Sequence, residues 1–245
     1  MKGIYVAIGA LIGLVCIHGF GGTESQYPIR WTGLMNLHAD IDAPPEKTLG
    51  DIRGELSKPW YGPTTLYGAG EKPVGVAANC LDFFKAQKAK WQPGPQIERN
   101  EYSLFGADCI AAKLLLESRP ATLSYLEVFK VDKNIASALP PEIGFLVENQ
   151  DQAVMAKCHS LTEIDKIRKV KVHPDGEVEL FGIDSQQFVD ELARADFNGD
   201  GIQDVILEVT QMPWPQGSLR TDMVLIFTRL KAGGPLTMIG RYGVY

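Results

Sequence analysis

Side-chain oxygens stand at alternate positions in one short stretch of this chain, Asp196, Asn198 and Asp200, followed by a further carboxylate at Asp204. Calcium takes roughly six to eight oxygen ligands and tolerates irregular geometry, so a segment presenting oxygens from every second residue can wrap around it. Gly199 and Gly201 fall where so tight a loop needs positive φ, and the apolar run Val205-Ile206-Leu207 follows at once. The backbone carbonyl of Ile202 would add a ligand while its side chain turns to the core and anchors the loop. Carboxylates held this close repel one another without a cation, so ion uptake is coupled to folding. A metal-free Asn/Asp/Gly turn is the competing reading, but the spacing of the carboxylates favours the cation. The expected cofactor is Ca2+, bound as a structural ion in the weak range of about 10⁻⁴ to 10⁻³ M.

The run Asp196-Phe197-Asn198-Gly199-Asp200-Gly201-Ile202-Gln203-Asp204-Val205 resembles the calcium loop of FG-GAP/VCBS-type repeats, found in integrin-like β-propellers and many secreted bacterial proteins. That family follows Asp-x-Asn/Asp-x-Asp-Gly-x-x-Asp and runs straight into a strand. The resemblance implies ligation by Asp196, Asn198, Asp200, the Ile202 carbonyl and Asp204. EF-hand and dockerin loops share the opening but close with a Glu; Leu207 holds that place here, with Glu208 one residue further on. The resemblance is confined to residues 195–207 and occurs once. A propeller needs several such repeats, so the propeller fold is not implied.

Other residues offer less. His18, His38, His159 and His173 fall into no zinc spacing. Cys158 and His159 are neighbours, but a Cys/His catalytic pair meets in space and rarely lies adjacent in sequence. His38, Asp40 and Asp42 could bind a metal or do acid/base work, although a solvated acidic turn accounts for them better. No Gly-x-Ser-x-Gly elbow, P-loop or dinucleotide fingerprint is present. Trp214, set between Pro213 and Pro215, is a candidate contact for a partner or a glycan; packing onto its own sheet is the competing reading.

The N-terminus points to export. Met1-Lys2 is a short basic region, an apolar run extends from Ile4 to Ile17, and small residues appear at Gly19, Gly21 and Gly22. This pattern reads as a signal peptide over residues 1–22. The apolar run is about 14 residues, short for a membrane span. An uncleaved N-terminal anchor is the alternative, and a lipid anchor at Cys16 is disfavoured by the bulky Val15 before it. Removing the leader leaves Cys80, Cys109 and Cys158. A Cys80–Cys109 bridge between two helices is expected in an oxidising compartment, where it would add roughly 3 kcal/mol. Cys158 is left as a lone thiol.

The elements that must position these groups divide at Pro140-Pro141. Residues 23–143 read as mainly helical. Thr48 and Asp51 form a capping-box pair ahead of a short helix ended by Pro59, and apolar stripes mark helices over Val76–Trp91 and Ser103–Glu117. Ser124–Val131 also reads as helix. Aromatic residues Trp60, Tyr61 and Tyr67 fasten an irregular stretch. Residues 144–245 read as an antiparallel sheet with a helix. Short β-type segments fall at 144–148 and 153–158. A hairpin pairs 169–172 with 177–180 across Pro174-Asp175-Gly176, its valines facing one way and its charges the other. Phe188, Leu192 and Ala195 suggest a helix from Asp184 to Ala195 leading into the acidic loop. Strands over 204–210, 223–230 and 236–242 complete an α+β arrangement.

The chain has 245 residues, 45% of them hydrophobic and 22% charged, and a net charge of −6. It has no basic block to meet a phosphate backbone, so nucleic acid is not an expected partner. The expectation is a periplasmic or secreted, non-enzymatic protein with one structural calcium site that binds another protein or a cell-envelope component. A hydrolase whose catalytic residues are dispersed along the chain is the alternative.

Overall fold

The computed structural model describes residues 27–31, 48–70, 72–145, 151–215 and 217–244. The leader, Cys16, His18 and the His38/Asp40/Asp42 group lie outside them.

The centre of the molecule is an antiparallel sheet in the order β10-β9-β8-β7-β6-β5. Its strands are β5 (Lys169–Val172), β6 (Val178–Phe181), β7 (Ser185–Ala195), β8 (Asp204–Pro213), β9 (Thr221–Thr228) and β10 (Thr237–Gly243). A two-residue strand β1 (Arg30–Trp31) adds to β7. Side chains alternate across a strand, so Val205, Leu207 and Val209 of β8 join one hydrophobic cluster while Ile206 joins another. Both faces of β8 and β9 are therefore covered. This explains why these strands read as nearly continuous apolar runs.

The face bearing Ile206, Val224 and Ile226 is covered from the N-terminal side of the chain. There stand α1 (Leu49–Glu55), a small sheet of β2 (Thr64–Tyr67), β3 (Pro73–Ala77) and β4 (Gln92–Pro93), then α2 (Cys80–Ala89) and α3 (Gln96–Glu117). α3 is the long element of this layer. Gly106 lets it lie close to its neighbours, since a Cβ there would come within 2.5 Å of Phe83 and 2.7 Å of Val244. The opposite face is covered by Leu126, Phe129, Ile135, Leu139, Ile143 and Leu161, from α4 (Ile135–Ala138), the single turn Pro141–Ile143, α6 (Leu161–Ile164) and the irregular chain before them. A further short helix, α5 (Asp151–Met155), precedes α6.

Several expectations hold. Thr48 and Asp51 form the capping box. The hairpin pairs Lys171 with Glu179. The three C-terminal strands lie within two or three residues of their expected bounds. Cys80 and Cys109 form a disulfide with a Cα–Cα distance of 5.3 Å.

The expected fold class is corrected. The N-terminal half is not mainly helical: it contributes β1 and the β3-β2-β4 sheet, and 124–131 forms no helix. Val76 lies in β3, and α2 starts only after Asn79, whose side chain caps it by accepting from Asp82 N–H. The β-type reading of 153–158 also fails, because 151–155 is α5. No helix leads into the acidic loop, because Ser185–Ala195 is strand β7, paired with β6 and β8. Phe188, Leu192 and Ala195 fit a helical period by coincidence. A bulge between Glu191 and Ala193 shifts the alternation within the strand, and pairing on both sides outweighs local propensity. Glu179 also departs from the expected wet face: it is buried and bonded to His173 and Gln186.

Candidate functional site

The acidic loop connects β7 to β8, with Ala195 opposite Asp204 at its base. Gly199 and Gly201 both adopt φ +83, the left-handed region that the sequence reserves for them. The side chains fold inward onto the loop's own amides. Asp196 accepts from Gly199 N–H (2.6 Å) and Gly201 N–H (2.9 Å), Asn198 from Asp200 N–H (2.9 Å), and Asp200 from Ile202 N–H (2.8 Å). Asp204 Oδ2 accepts from Phe197 N–H at 3.0 Å. The segment 119–123 fastens the loop from outside: Arg119 and Asp196 exchange backbone bonds, Thr122 and Leu123 N–H reach the Gly201 carbonyl, and Gln203 N–H reaches the Leu123 carbonyl.

Asp204 is the buried member, with 0% exposure. Its Oδ1 has no hydrogen-bond partner. The Thr228 hydroxyl is close enough to favour the charged form, yet it too is unpartnered, so the contact falls short of a full hydrogen bond. Burial raises the Asp204 pKa to about 6, against the pull of Thr228 and Phe197 N–H and reinforced by the charges of Asp200 and Asp196. Among the described residues no three His, Cys, Asp or Glu side chains are grouped closely enough to hold a metal ion. The loop carboxylates thus serve the backbone amides first, and what they offer a cation is their remaining lone pairs and the unused Oδ1 of Asp204.

Trp214 follows β8 in a loop whose Trp214–Pro215 bond is cis. Its ring meets Phe181 edge-on at a centroid distance of 5.3 Å, with the Lys169 ammonium 5.0 Å from the Phe181 ring. It packs on its own sheet through one edge and remains 40% exposed. Cys158 is half-buried, with its thiol turned to the Val154 carbonyl.

The structure also gathers a group the sequence did not announce. Asp190 of β7 lies directly opposite Glu208 of β8, and Glu177 immediately precedes Val178, which pairs with Val189. Asp108 reaches this face from α3, and Asp222 from β9. Arg220 answers them: its Nε lies 2.9 and 3.1 Å from the two Asp222 oxygens, and Thr210 Oγ1 donates to Asp222 at 2.6 Å. Asp222 N–H donates to Ser103 Oγ, tying β9 to α3. Burial pushes the Glu208 carboxyl well up, and the charges of Asp108 and Asp222 add to this more than Arg220 offsets. Asp190 rises to about 6, first through burial and then through the charges of Glu177, Asp175 and Glu191. The group thus sets a carboxyl whose pKa burial raises, Glu208, across the ladder from a second raised carboxyl, Asp190, the kind of arrangement acid–base chemistry draws on. The sequence does carry one signal for it: Asp108 and Glu208 are single acids set inside otherwise apolar runs, and Asp222 stands at the head of another.

The chain matches no family model, no curated protein and no solved structure.

Proposed function

We propose that this is an exported, non-enzymatic protein whose loop from Asp196 to Asp204 takes up calcium as a structural ion, and that it works by binding a macromolecular or cell-envelope partner. The observation that carries the metal reading is the buried, unpartnered Oδ1 of Asp204, an atom that burial leaves in want of a proton or a cation. Asp196, Asn198, Asp200, the Ile202 carbonyl and Asp204 would hold the ion, which would neutralise the loop and tie β7 to β8. The buried disulfide and the apolar leader support export. Among the described residues no helix is long and apolar enough to cross a membrane. The exposed part of Trp214 supports a partner contact nearby.

Thermal unfolding in 1 mM calcium and in EDTA tests the metal reading. With a dissociation constant near 10⁻⁴ M the ion would add about 1.4 kcal/mol, a rise of about 3 to 5 °C for a chain of this size. Asp204→Asn removes the rise. Identical melting in calcium and EDTA sinks the proposal.

The acidic group at the middle of β8 favours a second reading, a hydrolase with Glu208 as proton donor and Asp190 as its partner carboxylate. Glu208→Gln should then abolish turnover of a glycoside or ester panel while leaving the melting temperature within about 1 °C, because Gln mimics a neutral carboxyl. Activity that survives the substitution removes this reading.

A further inference from the structure

Two cavities meet at Arg99. One of about 330 Å³ lies between the first turns of α3 and the approach to β9, with Tyr102, Leu219, Arg220 and Val244 in its wall. The other, of about 410 Å³, is an open surface groove beside Tyr67 and the turn Gly68-Ala69-Gly70. Gln92, Pro93 and Arg99 belong to both. Each has the size of a small-molecule site. Gly94 lets the chain lie close to Tyr67 in the second of them, since a Cβ there would come within 2.5 Å of the Tyr67 ring.

The linings differ in charge from the rest of the molecule. The chain carries 30 acidic against 24 basic residues, yet among the described residues neither lining contains an Asp or Glu, and both contain an arginine. Of the two arginines, Arg220 is spoken for by Asp222 at 2.8 Å. Arg99 is not. Its Nε donates to the Gly94 carbonyl at 2.9 Å, which orients the guanidinium and leaves its outer N–H groups available. Among the described residues no carboxylate lies within ion-pair distance of it. Arg99 is exposed, and it lines both spaces together with Tyr67 and Pro93 of one and Leu219 and Val244 of the other; a single guanidinium beside apolar surface matches a monoanion on an apolar body. The planar fork suits a carboxylate, which it can take through two parallel bonds. A doubly charged phosphate would need a second free cation.

We propose that the cavities about Arg99 bind a small apolar monocarboxylate, with Arg99 as the anion-binding group. This site is separate from the acidic loop, and it adjoins the carboxyl group around Glu208 through Ser103 and Arg220, which line the first cavity.

Isothermal titration of the full chain with benzoate and with hexanoate, run in calcium and again in EDTA, tests it. Saturable binding of at least one is expected. Methyl benzoate, the neutral ester, should bind at least tenfold more weakly than benzoate, and inorganic phosphate should bind more weakly than the better carboxylate. Arg99→Gln should weaken the carboxylate at least tenfold, with Arg99→Lys falling between it and the parent. No saturation by either carboxylate up to 10-fold above a millimolar range (about 10 mM), ester binding equal to acid binding, tighter phosphate binding, or an unaffected Arg99→Gln each overturns the proposal. The ester and phosphate comparisons need no variant, so they decide the matter even where a substituted chain does not fold. Melting in calcium against EDTA reads the loop separately.

Discussion

A carboxyl group buried on a central strand must acquire a partner, a proton or a cation. The chain shows the first two along β8 and β9 and leaves a third carboxyl short of either. Asp222 has its partner in Arg220. Glu208 is pushed toward the protonated form. Asp204 keeps one oxygen without a partner. Asp190, across the ladder from Glu208, titrates at about 6 against an ordinary value of 3.8. Its pKa is higher in the folded chain than in the unfolded one, so the folded state binds more protons between those values. The stability it contributes is complete below about 3.8 and is lost as pH rises through about 6. We expect stability in EDTA to fall between pH 4.5 and 7.5, by no more than about 2 kcal/mol once partial exposure is allowed for. Asp190→Asn should flatten that slope. A melting temperature that climbs steadily over the interval, in parent and variant alike, would contradict the assignment.

At the scale of elements, the disulfide joins the first residue of α2 to the middle of α3, and both cysteines are buried. Replacing both by serine should cost about 3 kcal/mol by the chain-entropy argument, measured by denaturant unfolding of the oxidised parent and the variant. A loss below about 1 kcal/mol would mean that packing alone holds α2 on α3. The bridge was legible in the sequence because Cys80 and Cys109 sit on consecutive apolar stripes in a chain whose N-terminus reads as an export leader. The β5–β6 hairpin was legible because Lys169-Val170-Lys171-Val172 alternates and Asp175-Gly176 turns. Strand β7 was not. Its bulge breaks the two-residue period, and its Asp190, Glu191 and Arg194 mimic the wet face of a helix. The loop was legible by residue type and spacing, but not the direction of its side chains, which depends on amides brought near by the hairpin. The carboxyl group was hidden for a different reason: Asp108, Glu208 and Asp222 lie far apart in sequence, and only strand register and α3 bring them to one face.

At the scale of the whole molecule, β8 separates the sites. The acidic loop enters it at Asp204, and the loop carrying Trp214 leaves it at Pro213, beyond which the chain passes Leu219 and Arg220 into β9. Ten strand residues span about 30 Å, more than a Debye length in physiological salt. Calcium should therefore leave the affinity for benzoate unchanged within about twofold, since no two-state element connects the ends. A large coupling in the same titrations would mean that the sheet itself shifts.

The bulge between Met238 and Gly240 bears on how copies of the chain meet one another. β10 is an outer strand of the sheet, with Ile239 exposed, and among the described residues no strand pairs with its far side. Gly240 is tightly set there, since a Cβ would come within 3.1 Å of Ile226. The kink spoils the straight template that a second chain would need. Deleting Ile239 would restore an unbroken ladder, and light scattering of the variant should report growing particles under conditions where the parent's signal stays constant. The extra residue in β10 would then be a guard against self-association at the price of one imperfect strand pair.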